Sequence, residues 1–184
     1  MTTFRILIVV VLQTLALAYM IFDRQSMLDS ARVVTLKVIP VDPRDIFRGD
    51  YVILNYEISR LDVKLLAGED TFSSGDYAFV TLTKTGNDWK PVAIHHNWNP
   101  VSNNSIVIRA VVNYSDDPGT QGAIWVNMTY GIESYFVPQG TGHAIEEVAR
   151  KGALSIDVAI DNQSRAAIKA IRKDGKVFYV EGIL

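Results

Sequence analysis

The sequence predicts a mainly β protein, an antiparallel sandwich or open barrel with one or two short helices, preceded by a single N-terminal transmembrane helix. Three observations carry that prediction. Ile6 to Phe22 is an uncharged apolar run whose only clearly polar members are Gln13 and Thr14. From Val33 onward, short apolar or alternating stretches recur, bounded by turn residues, which is the signature of strands. The chain of 184 residues suits one domain that buries a core without disulfides or metals, and it contains no cysteine. The division expected is an anchor and stalk over residues 1–32 and a β-rich periplasmic domain over 33–184.

As a helix the apolar run is roughly 25 Å long at a rise of about 1.5 Å per residue. That lies within the range for a spanning helix, and Phe4, Tyr19 and Phe22 can extend or anchor it at the interfaces. Arg5 precedes the run, and Asp23, Arg24, Asp29 and Arg32 follow it. A short tail carrying Arg5 and the amino terminus favours an N-in orientation. The expected location is therefore a bacterial inner membrane, single-pass, with the C-terminal domain in the periplasm. A cleaved signal peptide is the competing reading, because Ala16-Leu17-Ala18 has the small-x-small form of a cleavage site. Against it, the apolar run continues past those alanines to Phe22.

Candidate strands are Val33–Ile39, Tyr51–Ile58, Tyr77–Thr83, Trp89–Ile94, Ser105–Val112, Ala123–Tyr130, Leu154–Ile160, Ala166–Ile171 and Val177–Val180. Thr85-Gly86-Asn87-Asp88, Asp161-Asn162-Gln163-Ser164 and Lys173-Asp174-Gly175-Lys176 join neighbours as turns. Period-two alternation assigns faces. Ile106, Ile108, Ala110 and Val112 share one side, with Arg109 on the other. Ile124, Val126, Met128 and Tyr130 lie opposite Trp125, Asn127 and Thr129. Ile156, Val158 and Ile160 face in while Ser155 and Asp157 face out. Half-buried strands of this kind favour antiparallel pairing. A helix is expected over residues 142–151, acidic early and basic late with Gly152 as its stop, and a second over Val63–Ala67.

The densest cluster of charge is Asp42, Arg44, Asp45, Arg48 and Asp50, between Pro40 and Pro43 and the strand that starts at Tyr51. Alternation puts Val52, Leu54, Tyr56 and Ile58 on one face of that strand, so Leu54 and Tyr56 read as core. Packing does not account for the charges. They form either a turn whose carboxylates cap amides and pair with arginines, or a surface whose arginines grip a partner carboxylate or phosphate. Gly49-Asp50-Tyr51-Val52-Ile53-Leu54-Asn55-Tyr56 matches every specified position of the GDYXXLXY signature. Trp89-Lys90-Pro91-Val92 and Tyr130-Gly131-Ile132-Glu133-Ser134-Tyr135-Phe136-Val137-Pro138 resemble that family's downstream segments. Gln139 and Ala110 depart from its pattern, where Glu and Gly are usual. The chain thus resembles the GDYXXLXY family of bacterial membrane-anchored proteins along nearly its whole length. The resemblance implies a multipass membrane partner rather than a particular chemistry.

Composition and motif spacing exclude more than they select. With 18 basic and 20 acidic residues and no basic run, the chain lacks a nucleic-acid footprint. Adjacent His95 and His96 point to opposite faces of a strand and His143 is distant, so no metal site is predicted, and nothing points to a cofactor. No serine is supported beside Lys37 or Lys64 for Ser–Lys hydrolysis. Asp50 and Glu133 are the one carboxylate pair worth testing for hydrolysis. The simpler role for Glu133 is a salt bridge to Arg44, Arg48 or Arg109, which would tie the two motif segments together.

The leading reading is a non-catalytic accessory subunit that docks on a multipass membrane protein. Its expected interaction residues are Asp42, Arg44, Asp45, Arg48, Asp50, Tyr51, Glu133 and Tyr135, with Gln13 and Thr14 as contacts inside the membrane. The other readings are a hydrolase using Asp50 and Glu133, or a small-ligand or glycan-binding module using Trp89, Trp98 and Trp125.

Overall fold

The structure is a computed structural model that describes residues 2–29, 32–39, 51–86, 88–102, 104–116, 124–136 and 152–180. The charged turn over 42–50, Gln139 and the helix expected over 142–151 lie outside the described residues.

Helix α1 spans Thr2–Leu28. Its segment Phe4–Leu28 has a mean hydropathy of 2.3 and is long and apolar enough to cross a membrane. The described strands then follow in chain order. They are β1 (Val33–Ile39), β2 (Tyr51–Ile53), β3 (Asn55–Tyr56), β4 (Arg60–Asp62), β5 (Ala67–Gly68) and β6 (Tyr77–Thr85). After these come β7 (Asp88–His95), β8 (Ser105–Asp116), β9 (Trp125–Thr129) and β10 (Ser134–Phe136). The last three are β11 (Leu154–Ile160), β12 (Ala166–Lys173) and β13 (Lys176–Val180).

One sheet orders as β13-β12-β11-β1-β3 and another as β4-β9-β8-β6-β7-β5, with β10-β2 as a separate pair. The two large sheets face each other as a sandwich around one core that includes Val34, Leu36, Tyr56, Val80, Ile108, Val126, Ile156 and Ile171. Pairing is antiparallel throughout, except that β5 runs parallel to β7 at Ala67 and Gly68. The backbones are so close there that a Cβ on Gly68 would collide with the Ile94 carbonyl oxygen.

β1 and β11 keep the boundaries expected from alternation, and Ile124, Val126, Met128 and Tyr130 are buried as expected. On β8, Ile108, Ala110 and Val112 are buried, but Ile106 is half-buried and Val107 of the opposite face is buried as well. Three differences have local causes. The expected helix over Val63–Ala67 is a single 3-10 turn, Val63–Leu65, which Asp62 caps by accepting the Lys64 N–H, and the chain then enters β5. The strand expected over Tyr51–Ile58 is interrupted at Leu54 and ends in a 3-10 turn at Glu57–Ser59. Asp157, expected to face solvent, is buried. Its carboxylate accepts Thr35 Oγ1 at 2.7 Å and Arg172 Nε at 2.7 Å, which satisfies a charge that burial alone would penalise. The Lys173–Lys176 hairpin turns on Asp174 and Gly175, both at positive φ, the geometry of a two-residue hairpin loop.

α1 is docked on the β domain. Met27 and Leu28 pack on the fully buried Ala167 of β12. Below them, Asp23 accepts both terminal nitrogens of Arg165, at 2.8 and 3.1 Å, a fork-to-fork pair. Arg165 is held in turn by Asp161. One Asp161 oxygen accepts Arg165 Nε at 2.6 Å, and the other accepts the N–H groups of Gln163 and Arg165 at 2.8 Å each. The β11–β12 turn is therefore a preformed socket for the end of the anchor. Spin labels on Ser26→Cys and Lys176→Cys in bilayer discs should give one narrow distance distribution. Adding Arg165→Met should broaden it while leaving the domain folded. An unbroadened distribution would show that the Asp23 contact does not set the helix direction.

Candidate functional site

The two motif segments meet. β2 of the signature pairs antiparallel with β10, with Val52 opposite Tyr135 and Tyr51 opposite Phe136. Where β2 gives way to β3, the Leu54 N–H donates to the Glu133 carbonyl at 2.7 Å. Leu54, Tyr56 and Ile58 are buried and Ile53 and Asn55 exposed, as alternation requires.

Two buried tyrosines complete the join by a reciprocal exchange. Tyr56, the last residue of the signature, donates its hydroxyl to the Ile132 carbonyl at 2.6 Å. Tyr130 donates its hydroxyl to the Ile58 carbonyl at 2.7 Å. Each ring thus reaches across to a carbonyl beside the other ring. Burial, and secondarily the Glu133 charge, push both phenol pKa values up, so both remain donors at any working pH.

Of the three arginines expected to pair with Glu133, Arg44 and Arg48 lie outside the described residues and Arg109 does not reach it. One of its oxygens accepts the Tyr130 N–H at 2.5 Å and the other the Gly131 N–H at 2.9 Å, so the carboxylate closes its own turn. Gly131 sits at φ 78°, a conformation that a side chain disfavours, with open space around its Cα. Arg109 instead lies over the Tyr77 ring at 5.2 Å. The expectation that the two motifs are joined holds, but backbone pairing and tyrosine hydroxyls join them.

The structure places the remaining candidates as follows. Asp42, Arg44, Asp45, Arg48 and Asp50 are outside the described residues, and the backbone of Tyr51 starts β2 immediately after them. Tyr135 is buried, edge-on to Tyr179 at 6.0 Å, and so contributes to packing. Thr14 donates its hydroxyl back to the Val10 carbonyl at 2.9 Å within α1. Gln13 is exposed on the same helix. Among the described residues no three metal-ligating side chains cluster. His95 contacts Glu69 at 2.9 Å, whereas His96 stacks on Phe72 at 4.4 Å. Of the three tryptophans, Trp89 and Trp98 line one cleft, while Trp125 lies under the Arg60 guanidinium at 4.7 Å.

Sequence reasoning did not anticipate Tyr130, Asp23 or Arg165. A signal existed for Tyr130, since a tyrosine on a core face needs an acceptor for its hydroxyl. The Asp23–Arg165 pair joins residues 142 positions apart, and neither position carries a pattern that names the other.

The sequence pattern of the GDYXXLXY protein family matches residues 13–171, which include both joined segments and the anchor's polar pair. The chain belongs to that family. Comparison with curated proteins and with solved structures finds no match. For this GDYXXLXY protein the signature's final tyrosine acquires a physical role, as the donor that fastens the signature to the Gly-Ile-Glu segment.

Removing either hydroxyl leaves a buried carbonyl without its donor. Tyr56→Phe and Tyr130→Phe should each lower unfolding free energy by about 1–3 kcal/mol in urea titrations. Because both bonds close the same junction, the double variant should depart from additivity by about 0.5 kcal/mol or more.

Proposed function

We propose that this protein is a non-catalytic accessory subunit, anchored by α1 in the bacterial inner membrane and bound to a multipass membrane protein. The observation that carries the reading is Gln13. It lies nine residues beyond Phe4, roughly 14 Å along the helix at about 1.5 Å per residue, and so near the middle of the hydrocarbon layer. Its amide has no partner among the described residues, whereas its neighbour Thr14 is satisfied by Val10. An unmatched amide at that depth costs on the order of several kcal/mol, and a polar group on a neighbouring helix removes the cost. The resemblance that implied a multipass neighbour points the same way.

Both oxygens of Glu133 hold backbone amides, which supports a structural role for it over a hydrolytic one. On the accessory reading, the arginines of the 42–50 turn meet a carboxylate or phosphate on the partner, just beyond the β2–β10 junction. The reading includes N-in topology, with the β domain in the periplasm, which Arg5 ahead of the apolar run supports.

Two experiments test these statements. Affinity purification of the full chain from native membranes in mild detergent should recover a multipass protein in stoichiometric amount. Gln13→Leu should reduce that recovery severalfold without unfolding the domain, and the Asp42/Arg44/Arg48 alanine variant should reduce it further. Recovery of the chain alone, or only with copies of itself, would refute the accessory reading. For topology, the absence of cysteine makes Ser74→Cys the sole thiol, at an exposed position. A membrane-impermeant maleimide should label it in intact spheroplasts, and labelling only after lysis would reverse the orientation.

A further inference from the structure

A polar cleft lies on the outer face of the five-stranded sheet, beside the tip of the β6–β7 hairpin. Its wider part, about 470 Å³, is lined by Thr35 and Lys37 of β1, Ser155 of β11, Arg172 of β12, Lys84 of β6 and Trp89 of β7. A second part, about 450 Å³, continues past Val33 and Trp89 to Trp98 and Pro100. Both volumes are in the range of small-molecule sites. Val33 and Trp89 line both parts, so the two are contiguous along one wall.

The cations of this cleft are not equivalent. Lys37 is held by Asp88 at 2.9 Å, across the gap between β1 and β7. Arg172 donates Nε to Asp157 at 2.7 Å and Nη1 to the Gly175 carbonyl at 2.9 Å, which leaves Nη2 without a partner among the described residues. The Lys84 side chain has no partner among the described residues, so the wider part of the cleft keeps a positive charge without a counter-ion there. Indole faces stack on the C–H face of a pyranose ring, hydroxyls such as those of Thr35 and Ser155 match its hydroxyls, and a planar fork beside an ammonium suits a carboxylate. An apolar ligand would meet too many polar groups here, and a purely ionic one would leave Trp98 and the part of Trp89 that does not pack on the core without contact.

We propose that this cleft binds an acidic saccharide, with its ring on Trp89 and its carboxylate between Lys84 and Arg172. The inference stands apart from the accessory role, which rests on Gln13 and the 42–50 turn.

The probe is methyl glucuronide, with methyl glucoside as its neutral counterpart, titrated into the full-length protein in detergent. The Trp98→Phe/Trp125→Phe variant leaves Trp89 as the only indole. Its fluorescence should then change saturably with the glucuronide, and the glucoside should bind at least about tenfold more weakly. Lys84→Glu should weaken glucuronide binding by a similar factor with an unchanged thermal melt, since its side chain holds nothing in place. Equal responses to the acidic and neutral sugars, no saturable response, or a Lys84→Glu variant that binds normally would each overturn the assignment. A glutamate-rich tetrapeptide that competes as well as the glucuronide would also overturn it, by showing a general anion surface.

Discussion

The exchange of hydroxyl-to-carbonyl bonds between Tyr56 and Tyr130 is the constraint on which the rest of the domain depends. β2 and β10 are three-residue strands, too short to hold together by their own ladder. Fixing Ile132 to Tyr56 and Ile58 to Tyr130 closes a loop between segments more than 70 residues apart in sequence. In a dry interior these bonds also keep two carbonyls from being stranded, which is costlier than the bonds are favourable. Glu133 then locks the turn that presents Ile132. The signature and the Gly-Ile-Glu segment are thus two halves of a single joint.

The second organising contact is the anchor's seat. A helix that left the membrane and met the domain through a loose linker would allow the domain to wander. Asp161 instead prearranges Arg165, which grips Asp23 while Met27 and Leu28 cover Ala167. This explains why β11 and β12 are buried on both faces near that end, whereas alternation alone would leave one face wet.

Local pattern revealed much of this architecture, and non-local contacts decided the rest. β1 and β11 were legible to the residue because one face of each is apolar and turn residues bound them. Leu54 and Tyr56 were legible as core for the same reason. β4, β5 and β10 have two or three residues each, and a period of two cannot show itself over so short a run. Asp157 looked like a solvent-facing residue because its partners, Thr35 and Arg172, come from other strands. Glu133 stood out by its charge, and its partners among the described residues are backbone amides within three residues, which charge patterning cannot distinguish from a distant arginine. The cleft between Trp89 and Trp98 needed the tertiary fold, since its walls come from both sheets.

A clamped helix also changes what the bilayer can do to the domain. A rod of 27 residues spans about 40 Å, and spanning helices adjust to bilayer thickness chiefly by tilting, by about 20° on average. With a flexible joint that tilt would be lost at the surface. With Arg165 and Ala167 holding the rod's end, the β domain must swing with it, carrying the cleft through the same angle. A helix held in this way passes any tilt it takes to the β domain as a rotation of the same size.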